Sequence, residues 1–118
     1  MSEAVLDPAA FEHLLEITGD DLEFVDELVD TYFDDALVQL ETMRQAAENG
    51  DAEALVRPAH SLKSSSANIG ASTLTEACRS LEADGRTGVV PDFAGRVADC
   101  EAIFAAVRSA LLAERASR

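Results

Sequence analysis

Residues 21–49 read Asp-Leu-Glu-Phe-Val-Asp-Glu-Leu-Val-Asp-Thr-Tyr-Phe-Asp-Asp-Ala-Leu-Val-Gln-Leu-Glu-Thr-Met-Arg-Gln-Ala-Ala-Glu-Asn. Within them Leu22, Val25, Val29, Phe33, Ala36, Leu40, Met43 and Ala47 recur at steps of three or four, the period of one face of an α-helix. Phe24, Leu28, Tyr32 and Leu37 widen that stripe, as expected of a long helix lying across a core formed by several partners. The run ends at Asn49-Gly50.

The flanking sequence has the same character. Upstream, Asp7 is a candidate N-cap before Pro8 at a first helical position and Gly19 is a stop, predicting a short helix over about 8–18. The long helix then covers about 21–49. Downstream, Asp51 caps a third helix of about 52–69 that ends at Gly70. Ser72 caps a fourth of about 73–84 that ends at Gly85, and Pro91-Asp92 opens a fifth of about 91–114. Phe93, Val97, Ile103, Phe104, Val107 and Leu111 form the inward face of the fifth. Residues 86–90 are the only loop of any length, and almost nothing reads as strand. Short links between long amphipathic helices make neighbours antiparallel. The predicted fold is all-α, an up-and-down four-helix bundle with a short additional N-terminal helix, as one domain over 1–118.

Composition narrows the function. The 118 residues carry 9 Lys+Arg against 23 Asp+Glu, a net charge of −14. Such a surface repels phosphate backbones and anionic lipid, so neither nucleic acid nor a membrane is an expected partner. No stretch approaches the ~18 uninterrupted apolar residues of a membrane span. The start, Met1-Ser2-Glu3-Ala4, lacks the basic and apolar segments of an export signal, and the expected location is cytoplasmic. Cys78 and Cys100 lie alone in helical sequence, without the spacing of a zinc or redox motif, and read as reduced core thiols.

Most chemistries lack their residues. A carboxylate di-metal bundle needs inward Glu-x-x-His pairs, but Arg57 stands three before His60 and Ala10 three before His13. No glycine-rich phosphate loop follows a strand, and Ser64, Ser65 and Ser66 have no nucleophile-elbow context. His13, between Glu12 and Glu16, reads as structural or solvated. The third helix is more informative. At ~100° per residue, Leu62, Ser66 and Ile69 share the face of Leu55, whereas His60 points well away. His60, Lys63, Ser64 and Ala67 form a separate line at i, i+3, i+4 and i+7. A neutral imidazole in water is a nucleophile, and a lysine one turn away can offset charge on a phosphoryl group bound to it. Ser64 could donate a hydroxyl proton, and Ala67 keeps the surface low for an approaching protein. The spacing fits equally a solvated histidine beside a solvated lysine. Pro58, inside the same helix, predicts a kink just before His60. The alternative is a helix that restarts there, with His60 in a first turn whose free N–H groups hold an anion.

The run Ala59-His60-Ser61-Leu62-Lys63-Ser64-Ser65-Ser66-Ala67-Asn68-Ile69-Gly70-Ala71 closely resembles the signature of histidine-containing phosphotransfer (HPt) domains of phosphorelays. That pattern is His, any residue, Leu, Lys, Gly, then Ser or Ala, with a Gly several positions later. The resemblance places the phosphoacceptor on His60, the phosphate-stabilising lysine on Lys63 and the helix-ending glycine on Gly70. Ser64 departs from the usual Gly, which affects how closely a partner docks. Glu82 and Arg86 fall where some relatives place a Gln and a basic residue near the phosphorylated ring. Glu82 reads as a poor phosphate ligand. Arg86 reads either as a partner contact or as an ordinary basic residue in the loop after Gly85. Arg57 and Ala67 join Arg86 as expected docking residues.

The resemblance implies a phosphocarrier rather than an enzyme. His60 would take a phosphoryl group from the aspartate of one receiver domain, in a response regulator or hybrid histidine kinase, and pass it to another. It implies no cofactor or metal of the chain's own, with Mg²⁺ and an acidic pocket supplied by the receiver. The self-contained length starting at Met1 fits a free-standing, monomeric carrier. One rival is a non-transferring module that sequesters a receiver or kinase through the same face. Another is the dimerisation domain of a histidine kinase. It is disfavoured because Ser61 stands where an acidic residue usually follows the histidine and because no ATP-binding segment is present.

Overall fold

Three-residue spacings of cap and amide set the two helix starts that matter most for the site. Asp21 Oδ1 accepts from the Phe24 N–H and Asp51 Oδ1 from the Ala54 N–H, each at 3.1 Å, so each satisfies an amide that has no partner within its own helix. The structure, a computed structural model, describes residues 5–117; the reading of Met1–Ala4 lies outside them. The helices are α1 (Ala10–Ile17), α2 (Leu22–Glu48), α3 (Ala52–Ile69), α4 (Ser72–Thr87) and α5 (Phe93–Ala116). No strand occurs among the described residues.

Helices α2 to α5 close a ring, α3 packing most extensively on α4, α2 on α3 and α5, and α4 on α5. The predicted bundle is therefore the observed one, with α1 laid against the end of α2 and α3. Its interior is apolar. Val25, Val29, Met43, Leu55, Leu62, Leu74, Leu81, Val97, Val107 and Leu111 are almost wholly removed from water. Tyr32, Phe33 and Phe104 meet edge-on or tilted across α2 and α5, with centroids 5.9–6.2 Å apart. Arg115 fastens the end of α5 to α2 through Asp26 at 2.8 Å and Asp30 at 2.9 Å. The apolar stripe of α2 is narrower than expected, since Leu22, Phe24 and Leu37 are exposed and Ala46, rather than Ala47, is buried. In α5, Cys100 joins the buried face, while Phe93 and Ile103 are only partly covered.

Several predicted ends move. Helix α1 starts at Ala10 because the Asp7 carboxylate accepts from the Ala9 N–H at 3.1 Å and the Asp7 N–H is spent on the Gly70 carbonyl at 2.7 Å. Gly70 does end α3, in the left-handed conformation, and a Cβ there would lie 2.5 Å from the Ala10 Cβ; the turn is glycine both for its backbone and for the seating of α1. Ala71 rather than Ser72 caps α4, without a side-chain bond. Gly85 does not stop α4. The helix runs on to Thr87, and Gly88 is its left-handed C-cap, so Arg86 is helical and the loop is 88–92. Helix α5 begins at Phe93 after Asp92, not at Pro91. Pro58 lies within α3, yet the helix is unbroken from Ala52 to Ile69. The alternative of a restart is thereby overturned, and His60 sits in the helix interior rather than in a first turn.

Candidate functional site

Helices α3 and α4 supply the site. Counting from Leu55, the buried side of α3 takes Leu62, Ser66 and Ile69, which turns His60 outward with its side chain 56% exposed. On α4, Leu74, Cys78, Leu81 and Gly85 face inward, and Glu82 lies at the margin of that stripe, only 7% of its side chain exposed.

A carboxylate so buried requires partners, and Glu82 has three. Its Oε2 is 2.9 Å from His60 Nδ1 and accepts from Arg86 Nη2 at 2.8 Å. Its Oε1 pairs with Lys63 Nζ at 2.6 Å. The Lys63 ammonium, followed by Arg86 and His60, holds the Glu82 carboxyl down at about 2 against the opposing effect of desolvation. Glu82 is therefore an anion at neutral pH and can only accept. The proton between Glu82 and His60 must reside on Nδ1, and in the neutral ring the remaining lone pair lies on Nε2.

Lys63 is thus not a freely solvated cation. Its side chain is 22% exposed, folded toward Glu82 one turn from the imidazole. Arg86 bonds to Glu82 and, with Arg57, His60, Glu53 and Gly85, lines an open cleft of about 790 Å³ between α3 and the end of α4. Ser64 and Ala67 are exposed farther along α3. Ala67 borders a different groove, about 940 Å³, with His13, Ile17, Leu28 and Asp35. The structure therefore brings Arg57 and Arg86 to the imidazole and places Ala67 toward α1. His13 is exposed.

Glu82 is the residue whose part the sequence reading missed. A carboxylate is unsuited to bind phosphate, and its place here is instead as the hydrogen-bond acceptor for the His60 ring. The available signal was an acid at the edge of an apolar stripe, four residues before an arginine. The two cysteines, Cys78 of α4 and Cys100 of α5, are buried, free thiols. The neighbouring Cys100 side chain, and then burial, push the Cys78 thiol up from its usual range, which disfavours the reactive thiolate. Among the described residues no group of three or more His, Cys, Asp or Glu side chains is arranged to hold a metal ion, and no helix is long and apolar enough to cross a membrane.

Comparison with known proteins shows the family and the fold. The family model described as the Hpt domain matches residues 27–116. Among solved structures, the chain is similar to the crystal structure of histidine-containing phosphotransfer protein B (HptB) from Pseudomonas aeruginosa PAO1. The two are 32% identical, with a TM-score of 0.87 over 99% of this chain and 99% of that one. No curated protein sequence matches.

Proposed function

Because this chain belongs to the Hpt-domain family and so serves histidine phosphotransfer in a phosphorelay, we propose that His60 is the residue that carries the phosphoryl group. The observation that supports this reading is the Nδ1 contact with Glu82. It turns an exposed imidazole into a one-sided nucleophile, with Nε2 basic and Nδ1 engaged.

In the forward step the Nε2 lone pair attacks the phosphorus of an aspartyl phosphate on a receiver domain. The bond from phosphorus to the aspartyl oxygen breaks, and its electron pair stays on the departing carboxylate. The ring that results bears a phosphoryl group on Nε2, a proton on Nδ1 and a positive charge, which Glu82 faces at hydrogen-bond distance. Transfer to a second receiver reverses the roles. Lys63 and Arg86 lie where they offset charge on the phosphoryl oxygens, and Ser64 can add a hydroxyl donor. Arg57, Arg86 and Ala67 meet the partner. Mg²⁺ and the acidic pocket belong to the receiver, so the chain acts as a phosphocarrier, and it does so as a cytoplasmic monomer. Its contribution is a rigid surface that allows the reacting atoms to align.

His60→Gln tests the assignment. Incubated with a phosphorylated cognate receiver, the variant is expected to take no label while keeping the far-ultraviolet dichroism of the parent. Label retained in the variant refutes the role of His60. A module that only sequesters a receiver is not favoured, since mere docking has no use for a histidine tied to an ionised glutamate.

A further inference from the structure

We infer that Gly85 is a positioning residue for this site: it sets how deeply α4 lies against α3, and so whether Glu82 reaches His60 and Lys63. The inference rests on the reading of His60 as phosphoacceptor.

Gly85 is buried in α4, three residues after Glu82 and next to Arg86. Its backbone is helical, not left-handed, so no turn demands glycine, and glycine inside a helix is unfavourable relative to alanine. Packing supplies the reason. A Cβ at this position would lie 3.0 Å from the Ala52 carbonyl oxygen, 3.0 Å from Val56 Cγ2 and 3.6 Å from Leu55 Cδ2. The Ala52 oxygen is backbone in the first turn of α3, a turn held by the Asp51 cap on Ala54, and it cannot rotate aside. A methyl group here therefore moves α4 outward by a few tenths of an ångström.

Glu82 moves with it. Its contacts stand at 2.9 Å to Nδ1 and 2.6 Å to Lys63 Nζ. An N–H···O bond is weakened once it passes about 3.2 Å, so a small retreat detaches the ring first. The Arg86 contact, being within α4, travels with the helix and survives. Gly85 thus acts through Glu82 and not on the phosphoryl group itself.

The test is ¹⁵N NMR of the imidazole nitrogens in the whole chain, wild type and Gly85→Ala, at a pH where both rings are neutral, with the exposed His13 as internal reference. The expected result is a His60 held as the Nδ1–H tautomer in the wild type that moves toward Nε2–H in the variant, while His13 is unchanged. Phosphorylation of His60 by phosphoramidate, which needs no partner protein, is expected to slow roughly tenfold, given that a full ångström of misplacement costs ~100-fold. Adding Val56→Ala to Gly85→Ala removes one of the two closest contacts and is expected to restore part of the Nδ1–H signal. A Gly85→Ala protein with the parent's tautomer and labelling rate overturns the inference. If that variant does not fold, Val56→Leu loads the same contact from α3, and an unchanged tautomer there overturns it equally. Mass spectrometry of the labelled wild type separates the two claims. Phosphate on a residue other than His60 defeats the acceptor assignment, whereas the tautomer reports the Gly85 contact alone.

Discussion

Glu82 links the chemistry of the site to its stability. Folding lowers its carboxyl from an ordinary 4.5 to about 2. At pH values between these, the unfolded chain binds the proton and the folded chain does not, so stability rises with pH across that window. The contribution is complete above about pH 4.5 and is lost as pH falls through 2, with a size on the order of 1–3 kcal/mol. Urea unfolding of wild type and Glu82→Gln at pH 7 and pH 2.5 is expected to show a gap of that order at neutral pH that shrinks in acid; parallel curves would contradict the assigned charge. Lys63→Ala is expected to slow phosphotransfer without loss of helix, because it removes a cation one turn from the ring and the strongest hold on Glu82. Unchanged rates in both directions would make Lys63 a structural partner only. His60 and Lys63 were legible from their line on α3, since residues on one helix have fixed angular relations. Glu82 was not, because its meeting with His60 depends on how two helices pack, which no spacing along one chain segment encodes.

Between elements, the joint of α2 and α3 is polar at one point. Tyr32 Oη and Ser66 Oγ meet at 2.9 Å inside the bundle, and burial, opposed by the bond to Ser66, pushes the tyrosine up to about 12. Ser66→Ala leaves a buried hydroxyl without its partner and is expected to destabilise the fold by about 1–3 kcal/mol, whereas Tyr32→Phe with Ser66→Ala is expected to recover most of that loss. Equal losses in the single and double variants would show that the bond contributes nothing of its own. The chain has one tyrosine, so an ultraviolet titration reads this group alone. Its folded form keeps the proton after the unfolded form has released it, so stability is full below about pH 10 and declines as pH rises toward 12. The buried stripe of α3 was legible down to Ser66, because helical periodicity marks a position whatever residue fills it; the partner on α2 was not. Helix ends followed their punctuation after Asn49 and at Gly70, but the starts of α1, α4 and α5 moved, and at Gly85 a glycine chosen for a close helix crossing looks in sequence like a glycine chosen for a stop.

Over the whole molecule the negative charge is unevenly placed. Helix α2 carries eight acidic residues against Arg44 alone, whereas α3 and α4 together balance Glu53, Glu76, Glu82 and Asp84 with Arg57, Lys63, Arg79 and Arg86. The hairpin that presents His60 is therefore neutral within a chain of net charge −14. At physiological salt, charges farther away than ~8 Å are largely screened, so a docking partner responds mainly to the face it meets. A neutral face with arginines beside the imidazole suits an acidic partner surface, and it removes the repulsion that the rest of the surface would impose. Arg57 is exposed, lines the His60 cleft and makes no bond to Glu82, which makes it the cleanest position at which to alter that face. Arg57→Glu is expected to slow transfer from a phosphorylated receiver about tenfold at low salt, through slower association. Much of the rate should return at about 0.5 M salt, where the screening length is only a few ångströms. The wild type, docking through a neutral hairpin, is expected to vary far less over the same range. Coincident salt profiles for the two proteins would place Arg57 outside the docking surface.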